Sequence, residues 1–164
     1  MIRKATYSDL DNIMEIIKET VEEMKSYNNN QWDESYPKVE DFILDIENEE
    51  LYVHDSKGEI QGFVCVNYIE PVEYKDLEWS SEKNFMVIHR MAVSKKVRNK
   101  GIGKKLMEFA ERLSQSNNIN FLKTDTNSVN IKMNSLFKKC GFNFVGEIKF
   151  LGKESPFYCY EKLF

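Results

Sequence analysis

The residues best placed for chemistry lie in VIHRMAVSKKVRNKGIGKKL, residues 87–106. An apolar, strand-like run ends at Val93, a basic loop follows, and Gly101-Ile102-Gly103 opens a stretch with helical spacing. Lys95, Lys96, Arg98, Lys100, Lys104 and Lys105 put six positive charges in eleven residues with no acid among them. Unpaired backbone N–H groups at a helix start, with glycines that let a ligand approach, form a site for an anion such as a phosphate. A basic run alone usually reads as a solvated face, but the preceding strand and the glycines favour phosphate binding here. Two nucleotide motifs fail on named positions. A P-loop needs Ser or Thr after its Gly-Lys pair, where Lys105 stands, and a dinucleotide fingerprint needs a third glycine, where Leu106 stands.

Arg98-Asn99-Lys100-Gly101-Ile102-Gly103 fits the pattern Arg/Gln-x-x-Gly-x-Gly/Ala. It resembles the acyl-CoA pyrophosphate loop of the GNAT family of N-acetyltransferases. The HRMAV strand before it is similar to the one that precedes this loop in the family. DTNSVNIKMNSLFKKCGFNFVGEI (125–148) resembles the family's second signature, and IRKATYSDLDNI its opening. The resemblance runs nearly the whole chain in order and is weakest between residues 26 and 84.

The resemblance implies an α/β GNAT fold, a mixed six- to seven-stranded twisted sheet flanked by about four helices, in one domain over residues 1–164. It implies acetyl-CoA as acetyl donor, with no metal. Met91, Ala92 and Val93 would offer strand backbone to the pantetheine arm, and Arg98, Asn99, Lys100, Gly101, Ile102, Gly103 and Lys104 would wrap the pyrophosphate. Asn130 would bond the pantetheine arm, although it reads almost as well as a plain helix cap. Phe137 and Lys138 would lie near the cofactor.

In the family an amine attacks the thioester directly through a tetrahedral intermediate. That requires a deprotonated amine, an oxyanion donor and a proton for the leaving thiolate. The Met91 backbone N–H is the natural oxyanion donor. Val87 stands where some members carry a catalytic Glu. His89 shares strict strand parity with Val87, Met91 and Val93 and is the candidate base, weighed evenly against a packed structural histidine. Phe137 stands where many members carry a proton-donating Tyr, so the acid is unassigned, with Tyr158 and Tyr160 as substitutes.

The segment between the first two helices usually shapes the family's acceptor pocket, here with Trp32, Asp33, Glu34 and Tyr36. The aromatics could stack on a small-molecule or peptide amine and the acids could attract it, although Tyr36 reads slightly better as a core cap. The activity implied is N-acetylation of a primary amine. The alternative is a non-catalytic acyl-CoA-binding sensor, favoured by Phe137. A homodimer through the aromatic terminal strands is compatible with the sequence, as is their burial within one chain.

The elements that must position these residues follow from hydrophobic period. Ile2–Ala5 reads as a strand. Ile13, Ile16, Ile17, Val21 and Met24 define a helix over about 8–25, capped from Ser8 toward Asp11. Pro37 suits the first turn of a second helix. Residues 51–54 and 60–69 form a hairpin, 85–93 a strand, and a helix follows Gly101. Residues 121–124 form a strand, 130–139 a helix, and 142–150 and 156–163 two final strands.

Composition bounds the rest. The 164 residues are 41% apolar and 30% charged, with 7 Gly and 3 Pro, which excludes a disordered or collagen-like chain. Net charge −4 and the lack of an aromatic–basic platform argue against nucleic acid as partner. No apolar run nears the ~18 residues of a membrane span, and no export signal begins the chain, so a cytoplasmic protein is expected. Cys65, Cys140 and Cys159, with only His54 and His89 as histidines, suggest reduced thiols rather than a metal centre.

Overall fold

In the computed structural model, which describes residues 1–164, alternating apolar residues build one seven-stranded sheet. The strands are β1 (Ile2–Lys4), β2 (Leu51–Ser56), β3 (Glu59–Asn67), β4 (Met86–Val93), β5 (Phe121–Asn127), β6 (Asn143–Ile148) and β7 (Phe157–Leu163). Their order is β1-β2-β3-β4-β5-β7-β6. β4 and β5 run parallel, and every other neighbouring pair is antiparallel. The helices are α1 (Leu10–Ser26), α2 (Val39–Glu47), α3 (Ile102–Ser116) and α4 (Ile131–Lys139). This is the expected α/β arrangement. No helix is long and apolar enough to cross a membrane.

α1 buries Ile13, Ile16, Ile17, Thr20, Val21 and Met24, a stripe recurring every three or four residues. With Phe42 of α2 this stripe covers one face of the sheet, against Val53, Phe63, Cys65 and Ala92. On the other face, Leu106, Met107 and Ala110 of α3 and Phe137 of α4 pack on Val64, Ile88, Met91 and Leu122. A third cluster gathers Tyr74, Val87, Phe157 and Cys159 beneath the 3-10 turn Val72–Asp76.

Several local expectations shift. The first cap is Thr6–Asp9, not Ser8–Asp11. Asp9 accepts the Thr6 amide at 2.8 Å and is gripped by Arg3 of β1 at 2.8 and 2.9 Å, which fixes the helix entrance there. Pro37 lies before α2, not in its first turn. Lys38 is the N-cap, and its amide donates to the Asp41 carboxylate at 2.7 Å, a bond no proline nitrogen can make. β5 continues past Thr124 because Asp125–Asn127 pair with Phe157–Cys159 of β7, and β6 stops at Ile148.

The feature that makes a site is the parting of β4 from β5. They pair only through Met86–Ile88 and Leu122–Thr124, and the Thr124 hydroxyl closes the last rung by donating to the Ile88 carbonyl at 3.0 Å. On the other side of β4, Val64 pairs with Met91 but Val66 with Ile88, so β4 holds one extra residue at His89–Arg90. Such a bulge bends and twists its strand. β4 turns away from β5 at this point, opening the sheet between their C-terminal ends.

Candidate active site

The bulge sets which groups face the opening. The Ser94 amide donates to the Gln61 carbonyl on β3 at 2.9 Å. By the alternation of an antiparallel ladder, the Ala92 amide also faces β3, while the Met91 and Val93 amides turn toward the gap. The bulge also overturns the expected side-chain parity. Met91 and Val93 pack with Ile88 on the α3 face, whereas Val87 lies in the cluster beneath the 3-10 turn. His89 and Arg90 both reach groups on the α2 side of the sheet, namely Asn67 and Asp45. His89 therefore does not share a face with Met91 and Val93, because strict alternation fails where a residue is inserted.

The loop after β4 presents a row of free donors. Asn99 and Gly101 take positive φ values of 62° and 77°, and α3 begins at Ile102. No amide from Arg98 to Lys104 donates to a protein group; the first helical bond runs from the Lys105 amide to the Gly101 carbonyl at 3.0 Å. A Cβ at Gly103 would lie 3.2 Å from Leu136 Cδ2, so glycine lets the α3 terminus sit close to α4. The loop and the β4–β5 gap open into one cavity of about 830 Å³. Arg98, Asn99, Gly101, Ile102, Gly103 and Lys104 line it, as do His89, Met91, Ala92, Val93, Asn130 and Phe137. Lys100 and Lys138 are exposed and lie outside this lining, which Lys139 joins.

Around the mouth, Glu23 of α1 accepts hydrogen bonds from both Arg98 and Lys132 of α4. Asn130 caps α4, accepting the Met133 amide at 3.2 Å, while its amide group donates to Gln31 Oε1 at 3.1 Å. The same Gln31 oxygen accepts from Thr126 Oγ1 at 2.9 Å and the Asn127 amide at 3.1 Å. Phe137 is 2% exposed against Tyr160 and Phe142. Neither substitute tyrosine reaches the cavity. Tyr160 is buried and donates to Asn134 Oδ1 at 2.6 Å, and Tyr158 packs edge-to-face with Phe144.

Within the gap, His89 Nε2 lies 2.6 Å from Asn67 Oδ1, and Asn67 Nδ2 donates to Glu50 at 3.0 Å. That second bond orients the amide so that Nε2 carries the imidazole proton and Nδ1 holds the lone pair. Burial, then the charge of Arg90, pulls His89 down to about 4, so the ring is neutral and a weak proton acceptor at neutral pH. Arg90 makes bonds of 2.6–3.0 Å to the Asp45 carboxylate and donates to the Tyr36 hydroxyl at 2.8 Å. This buried pair fixes Tyr36 at the wall of the cavity, which Trp32 also lines.

Asp33 and Glu34 do not join them. Lys153 holds Asp33 at 2.7 Å and Lys25 pairs with Glu34, so both charges are already met outside the lining. A carboxylate that sequence reasoning missed does line the cavity. Asp125 follows the last β4–β5 rung, accepts a hydrogen bond from Tyr74, and is pushed up to about 6, chiefly by burial. A lone Asp in a strand carries no local signal, and Tyr74 is distant in sequence.

A strand edge with inward amides, joined to an anion-binding helix start, suits a long ligand ending in a diphosphate. The chain matches the Acetyltransferase (GNAT) family over residues 14–142 and belongs to it. It is 22% identical over 146 residues to Uncharacterized N-acetyltransferase YesJ of Bacillus subtilis (strain 168), covering 87% of this chain and 81% of that one. A GNAT-family acetyltransferase structure from Streptococcus agalactiae 2603 is similar at 24% identity and TM-score 0.87, over 100% of this chain and 95% of the other. yncA of Salmonella typhimurium, solved with its cofactor acetyl-CoA, is similar at 14% identity and TM-score 0.73, over 99% and 92%. Acetyl transfer is the chemistry of this family.

Proposed function

We propose that the protein is an acetyl-CoA-dependent N-acetyltransferase acting on a primary amine. The observation that carries this is the uninterrupted run of partnerless amides from Arg98 to Lys104, opening directly onto the gap-facing amides of Met91 and Val93. The residues fit the donor. The loop amides, with the Arg98 side chain, would hold the pyrophosphate, and the β4 edge would hold the pantetheine arm. When bound, acetyl-CoA supplies an acetyl group activated as a thioester. The Met91 amide, turned toward the gap, would donate to the developing oxyanion, in a cavity that Phe137 and Trp32 help to line. Tyr158 and Tyr160 lie outside the cavity lining, which holds Tyr27 and Tyr36 instead, and the thiol, with an ordinary pKa near 8.5, is a fair leaving group.

Phe137 in its apolar cluster also supports a second reading, an acyl-CoA sensor that binds without turnover. Calorimetric titration with acetyl-CoA, CoA and dephospho-CoA, on wild type, Arg98→Ala and Gly103→Asp, tests both. Binding that weakens at least tenfold in both variants supports the loop assignment. Release of CoA thiol with any amine then selects the enzyme over the sensor. A folded wild type that binds none of the three compounds would refute both.

A further inference from the structure

Only two acids line the cavity, Glu23 and Asp125. Glu23 is met by Arg98 and Lys132. Asp125 has no cation partner. Its Oδ2 accepts from the Tyr74 hydroxyl, while Oδ1 has no protein partner and keeps accessible surface, although protein encloses the rest of the side chain. Asp125 is part of the cavity lining.

The groups around Asp125 leave its charge uncompensated. From the 3-10 turn come Tyr74 and the acid Glu73, and from β7 the thiol of Cys159. Elsewhere in the cavity lining, β4 supplies neutral His89 and Arg90, the latter committed to Asp45 and Tyr36. On its own strand, Lys123 is bound to Glu70 at 2.7 Å. Trp32, Tyr36, Phe150 and Phe157 supply aromatic wall to the same cavity. A carboxylate in the lining of a cavity with aromatic walls, with one oxygen unpartnered, suits an organic cation.

We propose that the acceptor is a cationic primary amine with an apolar or aromatic body, and that Asp125, held by the Tyr74 hydroxyl, docks its ammonium and takes its first proton. This rests on the acetyl-transfer reading above. The ammonium gives one proton to the Asp125 carboxylate, which frees the nitrogen lone pair. The N–C bond to the acetyl carbon forms, and the C–S bond breaks with its electron pair on sulfur. The surplus proton on nitrogen passes through solvent to the thiolate, and Asp125 returns its own to water. The sum is ammonium plus acetyl-CoA giving amide, CoA thiol and one proton.

The probes are 2-phenylethylamine and n-hexylamine, each paired with the alcohol of the same skeleton. They are titrated into free and CoA-loaded wild type and Asp125→Asn, with CoA titrated separately. The expected result is at least a tenfold preference of wild type for an amine over its alcohol, erased in Asp125→Asn while CoA affinity stays within twofold. The melting temperature of Asp125→Asn at pH 7.5 should equal or exceed that of wild type. CoA release with the preferred amine should drop at least 100-fold. Failure of wild type to prefer either amine, survival of the preference in Asp125→Asn, or a lowered melting temperature would overturn the assignment. Failure of wild type to bind CoA would instead count against acetyl transfer, while the amine preference of the free protein still reports on Asp125.

Discussion

Asp125 and His89 line one cavity, and the same burial pushes them in opposite directions, the carboxyl up to about 6 and the imidazole down to about 4. At pH 7.5 the first is charged and the second neutral, so the better proton acceptor is the carboxylate. With a reactive amine, kcat/KM should fall as pH drops below about 6, and His89→Gln should keep that limb with less than a tenfold loss of rate. A limb that disappears in His89→Gln would return the base to the histidine. The stability linkage has a definite sign. Asp125 binds its proton more tightly folded than at its ordinary value of 3.8, so its ionisation erodes stability as pH rises from about 4 to about 6. Asp125→Asn removes a penalty of at most about 3 kcal/mol above that window. Its melting temperature should exceed that of wild type at pH 7.5 and converge with it near pH 4. The contribution of His89 runs the other way, present above 6.5 and lost as pH falls toward 4. A residue that lowers stability while lining a cavity is retained for function more readily than for folding.

The bulge at His89–Arg90 decides the site at the level of elements, since it opens the sheet and turns two consecutive side chains to one face. It also marks the boundary of what could be read from the chain. The β4–loop–α3 unit was legible because its glycines, basic charges and apolar period are contiguous in sequence. The α1 stripe was legible for the same reason. The parity of His89 was not, because no local residue announces an inserted position, and the role of Asp125 was not, because Tyr74 reaches it only through the fold. Glu23 belongs to this class too. Its carboxylate on α1 bonds Arg98 on the loop and Lys132 on α4, so the phosphate-binding cations are partly neutralised before any ligand arrives. Glu23→Gln should therefore tighten CoA binding several-fold and steepen its salt dependence, measured by titration at 50 and 300 mM salt, conditions we choose to vary screening. Weaker binding in the variant would mean that Glu23 orders the loop rather than competing with the ligand.

Across the whole molecule, the sheet is two blocks joined by a short parallel ladder. β1–β4 carry α1, α2 and the phosphate loop, and β5–β7 carry Asp125 and, through α4, Phe137. Beyond the Ile88–Thr124 rung, the most concentrated tie is Gln31, which stands between α1 and α2 yet accepts from Thr126, Asn127 and Asn130 in the other block. Gln31→Leu would leave three inward-pointing donors without their acceptor. Each lost bond is worth about 1 kcal/mol net, and an unmet buried donor costs about 1–3 kcal/mol, so the free variant should melt several degrees lower than wild type. A ligand lying between β4 and β5 touches both blocks, and at 100 times its dissociation constant stabilises the folded state by about 2.7 kcal/mol. If the blocks hinge at the ladder, part of the CoA binding energy in Gln31→Leu is spent restoring their alignment. CoA should then bind the variant more weakly, and amide exchange in β5 and α4 of the free variant should be faster than in β2 and β3. An equal rise in exchange across all the strands would show that Gln31 supports global stability alone, and that the sheet opens as one unit.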